Sequence, residues 1–595
     1  MRRVRHSGLW LGFSVAGAIT AASTAPTFSK DIAPILYRQC VVCHRPDGPA
    51  PFSLLTYQDA RDRAALIAAA VEARRMPPWL PEPGAVRFAS ERRLTDSQIA
   101  LIRQWVEAGA PEGNNADLPP APEFPEGWQL GQPDLVVALP EYHVPRHGSD
   151  VYRNLVASLP IGETRYVTAV ELRPGNGRVV HHARLMVDTT ASSREMDAQD
   201  AEPGFDGMDV MSHAMTPGGF FLGWTPGKVP THGAEDMAWP VEPETDLVLQ
   251  LHVRPNGQPE VVRPVVGFHF APQPPARRPT LVLFNWKGID IPPGTKDYIV
   301  ADSYTLPVDV QALGVYPHAH YLATVMEAVA RLPDGSERRL LRIKDWDFNW
   351  QDEYRYEEPI LLSKGSTITM RYVYDNSAGN PQNPNRPPKR VTYGPNSTDE
   401  MGDLILQVLP QTAEDRALLE RDLAWKYAAQ DAGWFADREL AVGNLLAIRG
   451  EQAQAIGHFR AALDNRADAR AHAALAGALA ARGEFPQALL HAQAALQVQP
   501  EDAAGLAAMA RVLAQHPDPA IRNPGEARTL AGRAERAVGG EDAVGLEAVA
   551  AAYAAGRSRD RAARMIERAI AAAIRAGDDS LTAALKDRLE QYRRP

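Results

Sequence analysis

Only two cysteines occur in 595 residues, and both fall in one short run, Cys40-Val41-Val42-Cys43-His44. This bounds what can hold the chain together. A disulfide framework is excluded, and so are a zinc cage of four thiolates and a cysteine-ligated iron–sulfur cluster. C-x-x-C-H is the attachment pattern of a c-type haem: two thiols on one helical turn add to the two vinyl groups, and the next residue, His44, is placed as the proximal iron ligand. The rival thioredoxin-like reading of C-x-x-C needs a βαβ context that the flanks lack. Met76, in "RRMPPW", is the candidate second axial ligand, because a thioether suits a high-potential electron-transfer iron. Iron held by His44 and Met76 has no open position for O2, so one covalent haem is expected here, carrying electrons.

The rest of the chain falls into zones. Arg2, Arg3 and Arg5, the apolar run Leu9–Ile19 and small residues to Ala25 read as a secretory signal over 1–25, cut after Ala22. A periplasmic or secreted protein follows, in keeping with haem attachment outside the cytoplasm. Residues 27–112 are helical in pattern; "SQIALIRQWVEAGA" has Ile99, Ile102 and Val106 at helical spacing. Their "FSKDIAPIL…CVVCH…MPPW" pattern resembles class I cytochrome c domains. A Pro-rich linker spans 113–127. Short alternating runs between turn residues, such as "TDLVLQLHV" and "STITMRYVY", then predict two all-β sandwiches over 128–272 and 280–410, with the boundary near "FAPQPPARRPT". Residues 416–595 are Ala-rich and helical. There "LLAIRGEQAQAIGHFRAAL" aligns with a later segment at a 33-residue offset, Gly450 onto Gly483. This spacing resembles tetratricopeptide repeats, which stack into a solenoid with a concave face for a protein partner. A net charge of −10 argues against binding nucleic acid.

With both thiols committed, further metal chemistry rests on His and Met. His318-Ala319-His320 puts two imidazoles on one side of a strand. His181-His182 would point oppositely on a regular strand, so shared ligation there requires a bulge or strand end. His252 lies in "LVLQLHVRP", and Met401 in "STDEM". No carboxylate joins these groups in an obvious way. Imidazole with thioether favours copper, Cu(I) especially. His213 and His232 lie in Gly/Pro-rich loops and read as loop contacts. The aromatic run 344–359 reads as a hairpin packed on a sandwich, with lining a cleft as the alternative.

The order HH, Q-x-H, H-x-H, S-T-D-E-M over about 128–410 resembles the copper type II, ascorbate-dependent monooxygenases, which include peptidylglycine α-hydroxylating and dopamine β-monooxygenases. The resemblance implies two jelly-roll sandwiches facing each other across a solvent-filled cleft, and two copper ions. It implies an electron-donating copper at His181, His182 and His252, and an oxygen-binding copper at His318, His320 and Met401; Gln250 also matches. The implied reaction hydroxylates a C–H bond of a small organic or peptide substrate with O2, using electrons from an extracytoplasmic donor, here by way of the haem. The chain departs from the family in lacking disulfides and in carrying a fused haem domain. Tyr316, Asp403 and Ile405 also stand where the peptide-amidating enzymes hold their substrate, which argues against a peptidylglycine. A non-catalytic copper and haem electron-transfer protein that docks partners through its repeats is the alternative. A hydrolase lacks any recognisable nucleophile elbow or His–Glu zinc motif.

Overall fold

A computed structural model describes residues 25–594 except 47, 49, 85, 90, 125–126, 149, 208–213, 227 and 234–235. The expected signal segment through residue 24, and His213, lie outside the described residues. The chain divides into two compact units: residues up to Trp79 with Arg92–Phe124, and Leu80–Glu91 with Pro125 onward.

The first unit is helical, with α1 (Ala33–Gln39), α2 (Tyr57–Asp62), α3 (Ala64–Glu72) and α4 (Asp96–Glu107). Thr95 caps α4: its hydroxyl accepts the Gln98 amide while the Gln98 side chain accepts the Thr95 amide, satisfying two orphan donors. The apolar stripe of α4 then buries Ile102 and Trp105 against Phe28, Ile32, Leu36 and Val41.

In the second unit, β1 (Val151–Ser158), β2 (Val180–Asp188) and β3 (Asp246–Val253) form the middle of a five-stranded antiparallel sheet, with β3 between the other two. The facing sheet runs Leu135–Ala138, Val265–Ala271, Arg165–Arg173, Trp239–Val241. Every residue of β3 is buried. Leu247, Leu249, Leu251 and Val253 fill the space between the two sheets, which leaves Gln250 and His252 on the opposite face. The second sandwich pairs β4 (Val310–Ala319) with β5 (Gly402–Pro410), flanked by Tyr354–Leu362 and Thr280–Asn285. Its other sheet is Tyr298–Thr305, Thr367–Tyr374, Ala323–Arg331, Glu337–Ile343. The sandwiches touch: Gln407 Nε2 donates to the Gly219 carbonyl at 2.6 Å, and Lys228 pairs with Glu353 at 2.9 Å. Residues 80–91 also pack on the second sandwich, where Glu82 and Ala89 amides donate to the Arg342 and Arg355 carbonyls.

A 37-residue helix, α5 (Ala413–Arg449), follows and lies on the second sandwich through Tyr427, whose hydroxyl accepts the Leu283 amide. Helices then succeed one another as α6 (Gln452–Asn465), α7 (Ala469–Ala481), α8 (Phe485–Val498), α9 (Ala503–Gln515), α10 (Pro524–Ala537), α11 (Ala543–Ala555), α12 (Arg559–Arg575) and α13 (Asp579–Arg593). The 33-residue offset is kept at both ends of α6 and α8. Gly450 and Gly483 end the preceding helices at φ 92° and 80°, a left-handed conformation that suits glycine. Asp468, Asp502 and Asp542 cap α7, α9 and α11. Among the described residues no helix is long and apolar enough to cross a membrane. Gly450→Ala should cost about 1–2 kcal/mol in the unfolding transition of the helical region. Urea titration of the full chain, followed by far-UV circular dichroism, checks this.

Candidate metal centres and the cysteine motif

The first histidine set depends on a bulge. On β2 and β3 the pairing passes from Val180↔Val253 to His182↔His252, leaving His181 as the extra residue. His181 Nδ1 therefore lies 3.1 Å from His182 Nδ1, and His182 Nδ1 lies 3.4 Å from His252 Nδ1. One ligand atom from each of the three falls within 4.8 Å of the others. His252 is wholly buried, and its Nε2 meets Asp150 Oδ2 at 2.9 Å, which turns Nδ1 toward the other two rings. Asp150 is bonded in turn by Ser397, from the second sandwich. A carboxylate behind a ligating imidazole fixes its tautomer and raises its basicity. Tyr152, across from His252 on β1, stacks on that ring at 4.4 Å. Burial, with neighbouring His252, pushes His181 down to about 3 and His182 well below the usual imidazole value. Both are thus neutral, the metal-binding form.

The second set lies on β4 and β5. His318 pairs with Asp403 and Ala319 with Gly402, so His320 comes level with Met401. Directly opposed residues share a face, which places Tyr316, His318 and His320 together with Met401, Asp403 and Ile405. The two imidazoles stand 5.3 Å apart and nearly perpendicular, at 89°. His318 Nδ1 is held by Gln351 Oε1 at 2.5 Å, and His320 Nδ1 by the Asp399 carbonyl at 3.1 Å. Each ring keeps Nε2 for a metal; that of His320 is buried with no partner. Burial takes His318 to about 4 and His320 to about 3. Met401 is 4% exposed. The Glu400 carboxyl, fully buried, accepts amides of His320, Leu322 and Met401 at 2.8, 2.6 and 3.0 Å, tying the two ligand-bearing segments together. Burial raises this carboxyl to about 8, against the opposing pull of those amides.

Residues 344–353 are the connection between Glu337–Ile343 and Tyr354–Leu362, so the expected hairpin is not what this segment forms. Trp346 donates to the His320 carbonyl at 3.1 Å. Phe348, wholly buried, lies 5.0 Å from the His181 ring and 5.5 Å from that of His320. One aromatic ring is thus in contact with both histidine sets. Gln250 supports the first set from the next rung, donating to Asn154 Oδ1 at 3.1 Å. His232 faces His269 at 5.3 Å.

In the first unit, Cys40 and Cys43 lie on one tight turn and form no disulfide, with Cys43 and His44 amides donating to the Cys40 carbonyl. Burial, then the Cys43 charge, pushes the Cys40 thiol up to about 12. His44 Nδ1 meets the Phe52 carbonyl at 3.1 Å, which leaves Nε2 for an axial bond, as haem attachment requires. Met76 is half-buried on the turn after α3, its amide donating to the Ala70 carbonyl.

No protein-family model and no curated protein matches the chain. Among solved structures, the major capsid protein P2 of bacteriophage PM2 is similar at 11% identity and TM-score 0.18, over 46% of this chain and 97% of that one. The VP2 subviral particle of infectious bursal disease virus is similar at 8% and 0.15, over 48% and 75%. The tandem CBM22 domains of Paenibacillus barcinonensis Xyn10C are similar at 10% and 0.12, over 46% and 93%. Scores this low carry no argument.

Two outcomes follow from the geometry. Asp150→Asn should weaken metal binding at His181, His182 and His252 about 10–100-fold and leave the other set unchanged, as read by metal titration. The copper-free chain should also lose stability as pH falls from about 6.5 toward 4, because imidazoles held neutral in the fold must take up protons that the unfolded chain binds more readily. Thermal melts across that range test it, and a pH-independent melt would contradict it.

Proposed function

We propose that this chain is an exported copper-dependent monooxygenase that hydroxylates a C–H bond of an organic substrate. In this reading the sandwiches are jelly rolls, His181, His182 and His252 hold an electron-donating copper, and His318, His320 and Met401 hold the copper that meets O2. The first unit is a c-type cytochrome with haem on Cys40 and Cys43 and axial ligands His44 and Met76, and the C-terminal hairpins form a tetratricopeptide solenoid for a protein partner. The carrying observation is that one ligand atom from each of His181, His182 and His252 falls within 4.8 Å of the others, while His318 and His320, on one face with Met401, are each held through Nδ1 and keep Nε2. Imidazole with thioether is a donor set suited to copper.

Copper bound at the two sets would supply the one-electron chemistry of R–H + O2 + 2e⁻ + 2H⁺ → R–OH + H2O. The chain does the rest. Asp150, Gln351 and the Asp399 carbonyl fix the rings, so the donor atoms need little rearrangement. Glu400 holds His320 and Met401 in register. Phe348 and Trp346 exclude water beside the second set, which protects a reactive centre from side reactions. Electrons come from an extracytoplasmic donor by way of the haem.

Metal analysis with EPR tests this reading: two type II copper signals per haem are expected, and one or none would favour a redox scaffold. Met401→Ile should abolish substrate-dependent O2 consumption while leaving the haem spectrum intact; full activity in that variant would refute the assignment. In stopped-flow mixing, reduced haem should reoxidise when copper and O2 are present.

A further inference from the structure

The rung beside the two ligand sets carries three polar side chains that no metal needs. Arg184 follows His182 by two on β2, Tyr316 precedes His318 by two on β4, and Asp403 follows Met401 by two on β5. The pleat therefore turns them to the same faces as the ligands. They lie close enough to act on one another electrostatically. Arg184 comes from the first sandwich and the other two from the second, so this space is walled by both.

Arg184 and Asp403 both lack the partner their chemistry calls for. The Arg184 Nε and Nη2 both converge on one neutral acceptor, Thr216 Oγ1, at 3.3 and 2.8 Å. Among the described residues no carboxylate accepts from this guanidinium. Asp403 Oδ1 is buried with no hydrogen-bond partner. The guanidinium and the carboxylate are not bonded to each other, so each keeps hydrogen-bonding capacity for a ligand. Buried polar groups are rarely left so without a ligand to fill them. Tyr316, parallel to the His318 ring within 13° and 6.5 Å away, adds a flat aromatic wall that Phe221 extends at 6.4 Å.

We infer that this rung anchors the substrate: Arg184 takes a carboxylate, and Asp403 accepts a hydrogen from an N–H or O–H a few atoms away. The substrate class is thus a small hydroxy or amino carboxylic acid, with its remaining carbons directed past Tyr316 toward His318. The inference rests on the monooxygenase reading only in naming the ligand a substrate, since the anchor itself needs no metal. A guanidinium presents paired donors in the geometry of a carboxylate, which an ammonium does not.

Calorimetric titration of the copper-free, haem-loaded full chain tests this with lactate, mandelate, alanine and phenylalanine, against phenylacetate and 2-phenylethylamine. At least one hydroxy or amino acid should bind, tighter than phenylacetate, and 2-phenylethylamine should not bind. Arg184→Gln should weaken that binding tenfold or more, with Arg184→Lys intermediate. Asp403→Asn should erase the preference over phenylacetate, an effect independent of Arg184 should that variant fold poorly. No binding by any of the four acids, binding indifferent to Arg184→Gln in a folded variant, or preference for the amine overturns the inference. Copper content is measured separately. Acid binding in a chain that takes up no copper would defeat the copper reading alone, and two coppers with no acid bound would defeat this one alone.

Discussion

On the β4–β5 ladder a two-residue period carries Tyr316, His318 and His320 to one face, with Met401, Asp403 and Ile405 opposite them. Slipping that register by one residue would turn all six into the core and bring apolar side chains out. The sequence guards against the slip. Val315 and Ala319, and Leu404 and Leu406, alternate with the polar positions and are fully buried. Glu400 pins the open end of the ladder, because its two oxygens accept amides from both segments. The same pleat, interrupted once at His181, aligns His182 with His252 on the facing sandwich.

Bringing these faces together leaves five imidazoles buried or half-buried. A buried polar atom without a partner is costly, and three of the five rings have one nitrogen held by a group outside the sets. Asp150, Gln351 and the Asp399 carbonyl each satisfy one nitrogen. Nε2 of His181 and Nε2 of His320 are left buried without a partner. Phe348, wholly buried, is in ring contact with both sets.

Much of this was legible along the chain. Alternating apolar runs marked the sandwiches, the 33-residue offset marked the repeating hairpins, and the H-x-H spacing put two imidazoles on one face. The need for a bulge at His181-His182 was a consequence of strand geometry alone. What could not be read was everything held by distant partners. Asp150 lies 102 residues from His252, and Gln351 lies 33 from His318. Neither sits in a motif, so composition and spacing carry no trace of them. The run 344–359 showed its aromatics but not their direction, because tertiary packing rather than local pairing decides it. Arg184 and Asp403 looked like ordinary strand positions until the sandwiches faced each other.

The two histidine sets differ in the groups that stand behind them, and that difference bears on charge. A carboxylate, Asp150, backs His252. An amide oxygen and a peptide carbonyl back His318 and His320, and the third donor there is a neutral thioether. An ion in the first set gains from a carboxylate bonded directly to one of its rings, whereas the rings of the second set are backed only by uncharged oxygens. A partly buried charge is penalised more steeply the larger it is where no opposite charge is bonded to its ligands. Under the copper reading the first set therefore favours the divalent ion relative to the second, and the second favours the monovalent ion. That ordering is the one required if electrons are to pass from the set on β2 and β3 to the set on β4 and β5. It follows from where one aspartate side chain lies.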